Sequence, residues 1–257
     1  AMFASRLRQG YLSRLGIQLD SEAPCTSVMT EVKEERAASD FRANFLAKLS
    51  HAQVWQPAAR QPRKHQTVSI FDWDDTLFPT TYMLRRPADM ERHLDAIEEL
   101  AGELLEAAKR LGPTFIVTNA WNGWVEYCVA EWVPGLLPVL KGVKIIYSRD
   151  KYEWFFPYDY VMWKKLAFSE LAQQFDSGIL TNLVALGDSP AEWKAVQAMA
   201  KEFSEAVVKT VQFHLEPSPG QLLAQLEQVL GKFEIIVESG QNLTVVPDLE
   251  EREAGGC

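Results

Sequence analysis

Short apolar runs alternate with longer stretches of helical periodicity along most of this chain. Val68-Ser69-Ile70-Phe71 is brief, β-branched and apolar, and predicts a buried strand over about 67–71. Thr114–Val117, Val143–Tyr147, Asn182–Leu186 and Ala206–Phe213 read the same way. Between them, Met90–Arg110, Trp124–Trp132, Tyr160–Phe175 and Pro190–Lys201 carry apolar residues at helical spacing. Gly112-Pro113 ends the first of these helices and Pro134 stops the second. The alternation predicts an α/β fold: a doubly wound parallel sheet with right-handed crossovers and helices on both faces. After the fifth strand, Pro217-Ser218-Pro219 leads into a helix over about 219–230. Glu234–Val237 and Leu243–Val246 flank Gly240-Gln241-Asn242 and predict a terminal β-hairpin. The acidic tail from Asp248 reads as disordered.

Residues 1–66 read as a helical extension and linker. Phe41, Phe45, Leu46 and Leu49 form a stripe within Glu31–Ser50, with Thr30 as its N-cap, and Gln56–Lys64 is Pro-containing and polar. Three segments result: 1–66, a catalytic core at 67–216, and 217–257. A chain of 257 residues suffices for one sizeable α/β domain with such additions.

Charge divides along the same boundary. Residues 1–66 hold ten Lys and Arg against six Asp and Glu, and the remainder 16 against 29. An acidic body argues against nucleic acid as the main partner and is compatible with collecting divalent cations. Three scattered cysteines, Cys25, Cys128 and Cys257, form no CxxC pattern. They point to a cytoplasmic or other reducing compartment without a disulfide framework. No apolar run approaches a membrane span. The start carries Arg6, Arg8 and Arg14 with no acid before Asp20. It reads first as a basic helix packed on the body and second as an organelle-targeting segment.

Candidate chemistry collects at the strand ends. The first strand runs into Asp72-Trp73-Asp74-Asp75-Thr76, the second into Thr118-Asn119, and the fourth into Gly187-Asp188-Ser189 with Glu192 four residues after Asp188. In open α/β sheets ligands bind at the carboxyl edge of the strands, where these groups converge. Carboxylates at i and i+2 leave an extending strand on one face. The helix before the fourth strand carries Lys164 and Lys165. Positions 164, 168, 171 and 175 read Lys, Phe, Leu, Phe, while 165, 169, 172 and 176 read Lys, Ser, Ala, Asp. The apolar stripe faces the sheet, which favours Lys164 as the inward group over Lys165.

These residues resemble the haloacid dehalogenase-like phosphatase superfamily over roughly 66–215. The first motif matches Phe71–Thr76, the second Thr118, the third Lys164 or Lys165, and the fourth Gly187–Glu192. The resemblance implies a sheet ordered 5-4-1-2-3 and a Mg²⁺-dependent phosphatase acting through an aspartyl phosphate. Asp72 is then nucleophile and metal ligand. Asp74 binds the metal through its carbonyl and serves as acid and base through its side chain. Asp188 is the third ligand, and Glu192 acts through a metal-bound water. Thr118 and the lysine donate to phosphoryl oxygens. Glu192 also fits a first-turn acid favoured by the helix dipole. Asn119 either reaches phosphate or bonds the turn backbone. Thr76 reads as the cap of the turn after the nucleophile, Asp72, and Asp75 as a solvated turn residue.

The stretch Leu77–Pro113 holds a turn and one helix, which leaves no room for a substantial cap. By analogy, capless members of the superfamily act on large substrates, here a phosphorylated partner such as a protein. Trp73, Trp121 and Trp124, with Phe78, Tyr82 and Tyr127, read as an aromatic rim or as core packing. A catalytically silent module that binds a phosphorylated partner is the alternative. The presence of both Asp72 and Asp74 speaks against it.

Overall fold

The chain divides into two units, Ala1–Lys64 and His65–Cys257. The computed structural model describes residues 66–85, 91–176, 180–203 and 205–248. The basic start, the helix expected at 31–50, the linker and most of the acidic tail lie outside these residues.

Six parallel strands form the sheet: β1 (Gln66–Phe71), β2 (Thr114–Thr118), β3 (Lys144–Tyr147), β4 (Leu180–Gly187), β5 (Val207–Gln212) and β6 (Leu243–Val245). They stand in the order β3-β2-β1-β4-β5-β6. The eight helices among the described residues are α1 (Thr80–Arg85), α2 (Glu91–Leu111), α3 (Trp124–Trp132), α4 (Leu136–Leu140), α5 (Ser148–Tyr152), α6 (Tyr160–Ala172), α7 (Pro190–Ala200) and α8 (Pro219–Glu238). The short helices α1, α4 and α5 carry too few residues for a periodic stripe and stand where loops were expected.

Side chains alternate across the strands and sort into two layers. Phe71, Ile116, Val184, Leu186 and Val211 join one core cluster with Ile97, Ala101 and Leu104 of α2 and Leu222, Leu226 and Phe233 of α8. Ile70, Phe115, Val117, Leu183 and Ala185 occupy the alternate positions and are buried outside that cluster. The other long helices, α6 and α7, pack side by side. Burial on both faces explains why the strands read as continuous apolar runs.

The register sets the site. Phe71 stands opposite Ile116 of β2 and Leu186 of β4, and the Asp72 N–H still donates to the Leu186 carbonyl at 2.9 Å. The ends of β1, β2 and β4 therefore emerge side by side, carrying Asp72, Thr118 and Asp188.

The terminal hairpin is absent from the described residues. Glu234–Val237 belongs to α8, which runs past Gly231 without a positive φ. Leu222, Leu226, Val229, Phe233, Ile236 and Val237 are buried at helical spacing, whereas Ile235 is 72% exposed. So short a β-branched run does not separate strand from helix; the longer stripe decides. A Ser218–Gln221 capping box starts this helix. Its length carries the chain back along the sheet, so β6 adds parallel to β5, with Thr244 opposite Thr210.

Ile236→Ala is expected to lower unfolding stability by about 2–5 kcal/mol, and Ile235→Ala by less than about 0.5 kcal/mol. Urea denaturation of the two variants checks it; similar losses would contradict the helical face.

Candidate active site

The turn after β1 is held by its own backbone. The Trp73 carbonyl accepts from the N–H groups of Leu77 at 3.0 Å and Phe78 at 3.1 Å. The Trp73 ring, fully buried, stacks on Phe78 at 6.0 Å. Asp75 adopts a left-handed conformation with φ 55°, which Asp tolerates better than most residues. Its carboxylate accepts from the Thr81 N–H at 2.9 Å and the Thr81 hydroxyl at 2.5 Å. Asp75 is thus buried and bonded, not a solvated turn residue. Burial and the neighbouring charges of Asp74 and Glu216 push its carboxyl up, with the Thr81 bonds opposing. The Thr76 hydroxyl is buried without a partner, so it caps nothing.

Asp74 is gripped from three sides. Its Oδ1 accepts from the Thr80 hydroxyl at 2.6 Å and the Trp124 indole N–H at 2.9 Å. Its Oδ2 accepts from the Thr118 hydroxyl at 3.0 Å. Thr80, Thr81 and Trp124 thus set the two turn carboxylates. No motif in the sequence singles out the threonines, and Trp124 reads there only as rim or packing. A Thr-Thr pair six residues beyond an Asp-Asp pair is the signal that was available.

Lys164 faces this edge from the first turns of α6, where the Asp159 side chain caps the helix by accepting the Met162 N–H at 2.9 Å. Its ammonium lies 2.7 Å from Asp72 Oδ1, 2.8 Å from Glu192 Oε1 and 2.7 Å from the Val117 carbonyl. Three protons meet three acceptors at 1% exposure. Lys165 is half-buried elsewhere on the helix. The Trp73 N–H adds a bond to Asp72 Oδ1 at 2.8 Å.

Glu192 arrives from α7. Its Oε2 accepts from the Ser189 N–H at 3.1 Å and the Ser189 hydroxyl at 2.6 Å, closing a capping box. It therefore caps the helix and pairs with Lys164 at once. Gly187 makes the room: a Cβ there would stand 2.5 Å from Glu192 Cγ. Asp72, Asp188 and Glu192 each offer a carboxylate oxygen, all within 4.8 Å of one another.

Electrostatics follow from crowding. Burial first, then the charges of Glu192, Asp188 and Asp74, push Asp72 well up, with the Lys164 ammonium opposing. Burial and the nearby Glu192 and Asp75 raise Asp188 to about 7. For Glu192 burial works upward, but the Lys164 ion pair prevails and lowers it. Burial works against the charged form of Lys164, yet Asp72 and Glu192 hold it above its ordinary range. The set carries more negative charge than one ammonium offsets.

Asn119 is turned to the backbone. It donates to the Tyr160 carbonyl at 3.3 Å and accepts from the Ser148 hydroxyl at 2.5 Å. The same hydroxyl is 2.8 Å from the Thr118 carbonyl, so Ser148 and Asn119 pin α5 and α6 to the β2 end. The expected aromatic rim is divided. Trp73 and Phe78 are core; Trp121 and Tyr127 are 61% and 52% exposed. The Arg149 guanidinium sits 3.7 Å above the Trp121 ring. Cys128 is buried and free, its thiol pushed up to about 12 chiefly by burial, which removes it as a nucleophile. Among the described residues no helix is long and apolar enough to cross a membrane.

No protein-family model and no curated protein matches this chain. A crystal structure from Burkholderia xenovorans, provisionally described as a haloacid dehalogenase-like hydrolase, is similar at 17% identity and TM-score 0.34. The similarity covers 70% of this chain and 92% of that one.

The raised Asp188 carboxyl has a consequence for stability. A carboxyl whose folded pKa lies above its unfolded value, about 4, is uncharged in the fold at low pH and loses stability as pH rises toward its folded value, about 7. Asn cannot ionise. In chelator, the melting temperatures of Asp188→Asn and wild type are expected to diverge in the variant's favour from about pH 4 to about pH 7. A constant difference across that window would contradict the reading.

Proposed function

We propose that this site hydrolyses phosphomonoesters with Mg²⁺, Asp72 serving as nucleophile and Asp74 as acid and base. The observation that carries the proposal is the contrast between two carboxylates two residues apart. Asp72 is buried beside Lys164, Asp188 and Glu192, whereas the Asp74 carboxylate is turned to Thr80, Thr118 and Trp124. That contrast supports reading one as the group that attacks and the other as the group that moves a proton.

The donor set suits Mg²⁺. Three carboxylates offer only hard oxygen ligands and carry uncompensated charge. Asp72, Asp188 and the Asp74 carbonyl would hold the ion, with Glu192 acting through a water. When bound, the ion offsets repulsion between the carboxylates and a phosphate dianion.

An Asp72 oxygen forms a bond to phosphorus as the ester P–O bond breaks, and Asp74 gives its proton to the departing oxygen. Water then attacks the same phosphorus, Asp74 takes its proton, and the bond to Asp72 breaks to release phosphate. Lys164 keeps the Asp72 carboxylate oriented and offsets charge. Its three protons are engaged, so a phosphoryl oxygen would replace one of their acceptors. The Thr118 hydroxyl likewise exchanges Asp74 for phosphate. Asn119 supports the loop behind it.

A large substrate, such as a phosphoprotein, fits the surroundings. Among the described residues only α1 lies between the β1 turn and α2, and α2 packs with α8. Trp121, Tyr127, Trp154, Tyr158 and Tyr160 are each at least half exposed, on segments that follow β2 and β3. An open, capless edge with exposed aromatics suits a macromolecular surface better than a small metabolite.

The test is hydrolysis of p-nitrophenyl phosphate with and without Mg²⁺. Metal-dependent turnover is expected in the wild type, reduced roughly 10³-fold or more in Asp72→Asn, with circular dichroism unchanged. Equal turnover in both would remove Asp72 as nucleophile. No turnover in either would leave a module that binds a phosphorylated partner.

A further inference from the structure

A second charged feature stands apart from the carboxylates. Between α6 and α7 runs a cleft of about 360 Å³, lined by Lys165, Lys194 and Lys201 over a floor that includes Trp193 and Pro190. No acid lines it. Among the described residues none of the three lysines has an ion-pair partner within 4.0 Å. The indole Nε1 of Trp193 is buried without an acceptor. The chain as a whole has a net charge of −9, so three unpaired ammoniums around one cleft are a local reversal of its field.

The cleft is also placed with respect to the site. Pro190, at its head, follows Asp188 by two residues and opens α7. Lys165, on its wall, follows Lys164. Lys201 caps the far end of α7. From Pro190 to the C-cap Lys201 the lining thus spans the whole length of α7, about 16 Å at 1.5 Å per residue. That is the length of about five residues of extended peptide. An apolar floor, walls of ammonium and an end two residues of chain from Asp188 describe a groove for an anionic chain beside the carboxylates.

We infer that this groove binds an acidic polypeptide segment, the flank of a phosphorylated residue presented to Asp72. Carboxylates of that segment pair with Lys165, Lys194 and Lys201. The inference rests on the proposed phosphatase activity for its biological setting, but the groove's binding is separable from catalysis. The acidic body favours a peptide over a nucleic acid, whose continuous phosphate charge it would repel.

The experiment uses the full chain and the exposed-site double variant Lys194→Glu/Lys201→Glu, which leaves the carboxylate site intact. Fluorescence anisotropy with labelled hexaglutamate, which carries no phosphate, reads the groove alone. Binding to wild type is expected to weaken with rising salt and to fall about tenfold or more in the variant. For a phosphoserine peptide flanked by glutamates, kcat/KM falls by a similar factor through KM. Turnover of p-nitrophenyl phosphate and of the glutamine-flanked peptide stays as in wild type. Unchanged hexaglutamate affinity in the variant would overturn the inference, as would tighter binding of oligothymidylate than of hexaglutamate. A protein that hydrolyses none of these esters but loses hexaglutamate in the variant keeps the groove and removes the phosphatase.

Discussion

One buried ammonium organises the carboxyl edge of this sheet. Lys164 reaches from α6 to Asp72 at the end of β1, to the Val117 carbonyl in β2 and to Glu192 in α7. Taking an ammonium out of water is expensive, and an isolated pair seldom repays it. Here every proton has an acceptor, two of them carboxylates, so the penalty is met by charge and by complete satisfaction. Removing the ammonium would leave two carboxylates facing each other without water, which breaks a buried pair at about 3–5 kcal/mol. Other local features follow from that need. Glu192 must approach beneath the end of β4, so position 187 has no side chain. Its second oxygen must be satisfied, so Ser189 closes a capping box.

The same crowding gathers more carboxylate than one ammonium offsets. Lys164 offsets part of the charge of Asp72 and Glu192, and Asp188 is left raised to about 7 by burial and its neighbours. Carboxylates held this close are stable only if protonated or shared with a cation. The turn beyond Asp72 solves a different problem. Asp74 lies two residues on, yet Thr80, Thr118 and Trp124 draw its carboxylate away from the cluster. The left-handed Asp75 and the stack of Trp73 on Phe78 fix the path that allows this. Identical side chains two residues apart thereby acquire separate environments, a prerequisite for separate roles.

Much of this was legible in the sequence, for physical reasons. Strands buried on both faces read as unbroken apolar runs, and polar residues at their ends stand out against them. Lys164 was separable from Lys165 by phase, because a thirteen-residue helix has a face long enough to count. Short elements gave no such handle. Glu234–Val237 is a short β-branched run like a strand, and only the longer spacing of Leu222, Leu226, Val229 and Phe233 shows it to be helix. Asp75 looked solvated because its partner, Thr81, is an ordinary residue six positions on, brought back by a turn. The Trp124–Asp74 bond joins residues fifty apart. Such contacts belong to the tertiary fold and leave no local trace.

Lys164 and Lys165 show how a sheet-and-helix layer separates two electrostatic tasks. Adjacent helical residues point about 100° apart, so one lysine enters the strand edge while the next lines the cleft beside α7. Buried and fully bonded, the first is screened little by salt and is held in one geometry. Half-buried and without an ion-pair partner, the second acts through a field that salt weakens. Chemistry needs the former, because a nucleophile must not drift. Recognition of an acidic chain needs the latter, because association benefits from charge that water still reaches. The acidic composition of the body strengthens the division: on the proposed reading, phosphate is repelled by the carboxylates unless a cation is present, and a flanking acidic segment finds its attraction in the α6–α7 cleft. On the proposed reading, substrate affinity and chemical reactivity are set by different lysines on one helix, and each can be altered without the other.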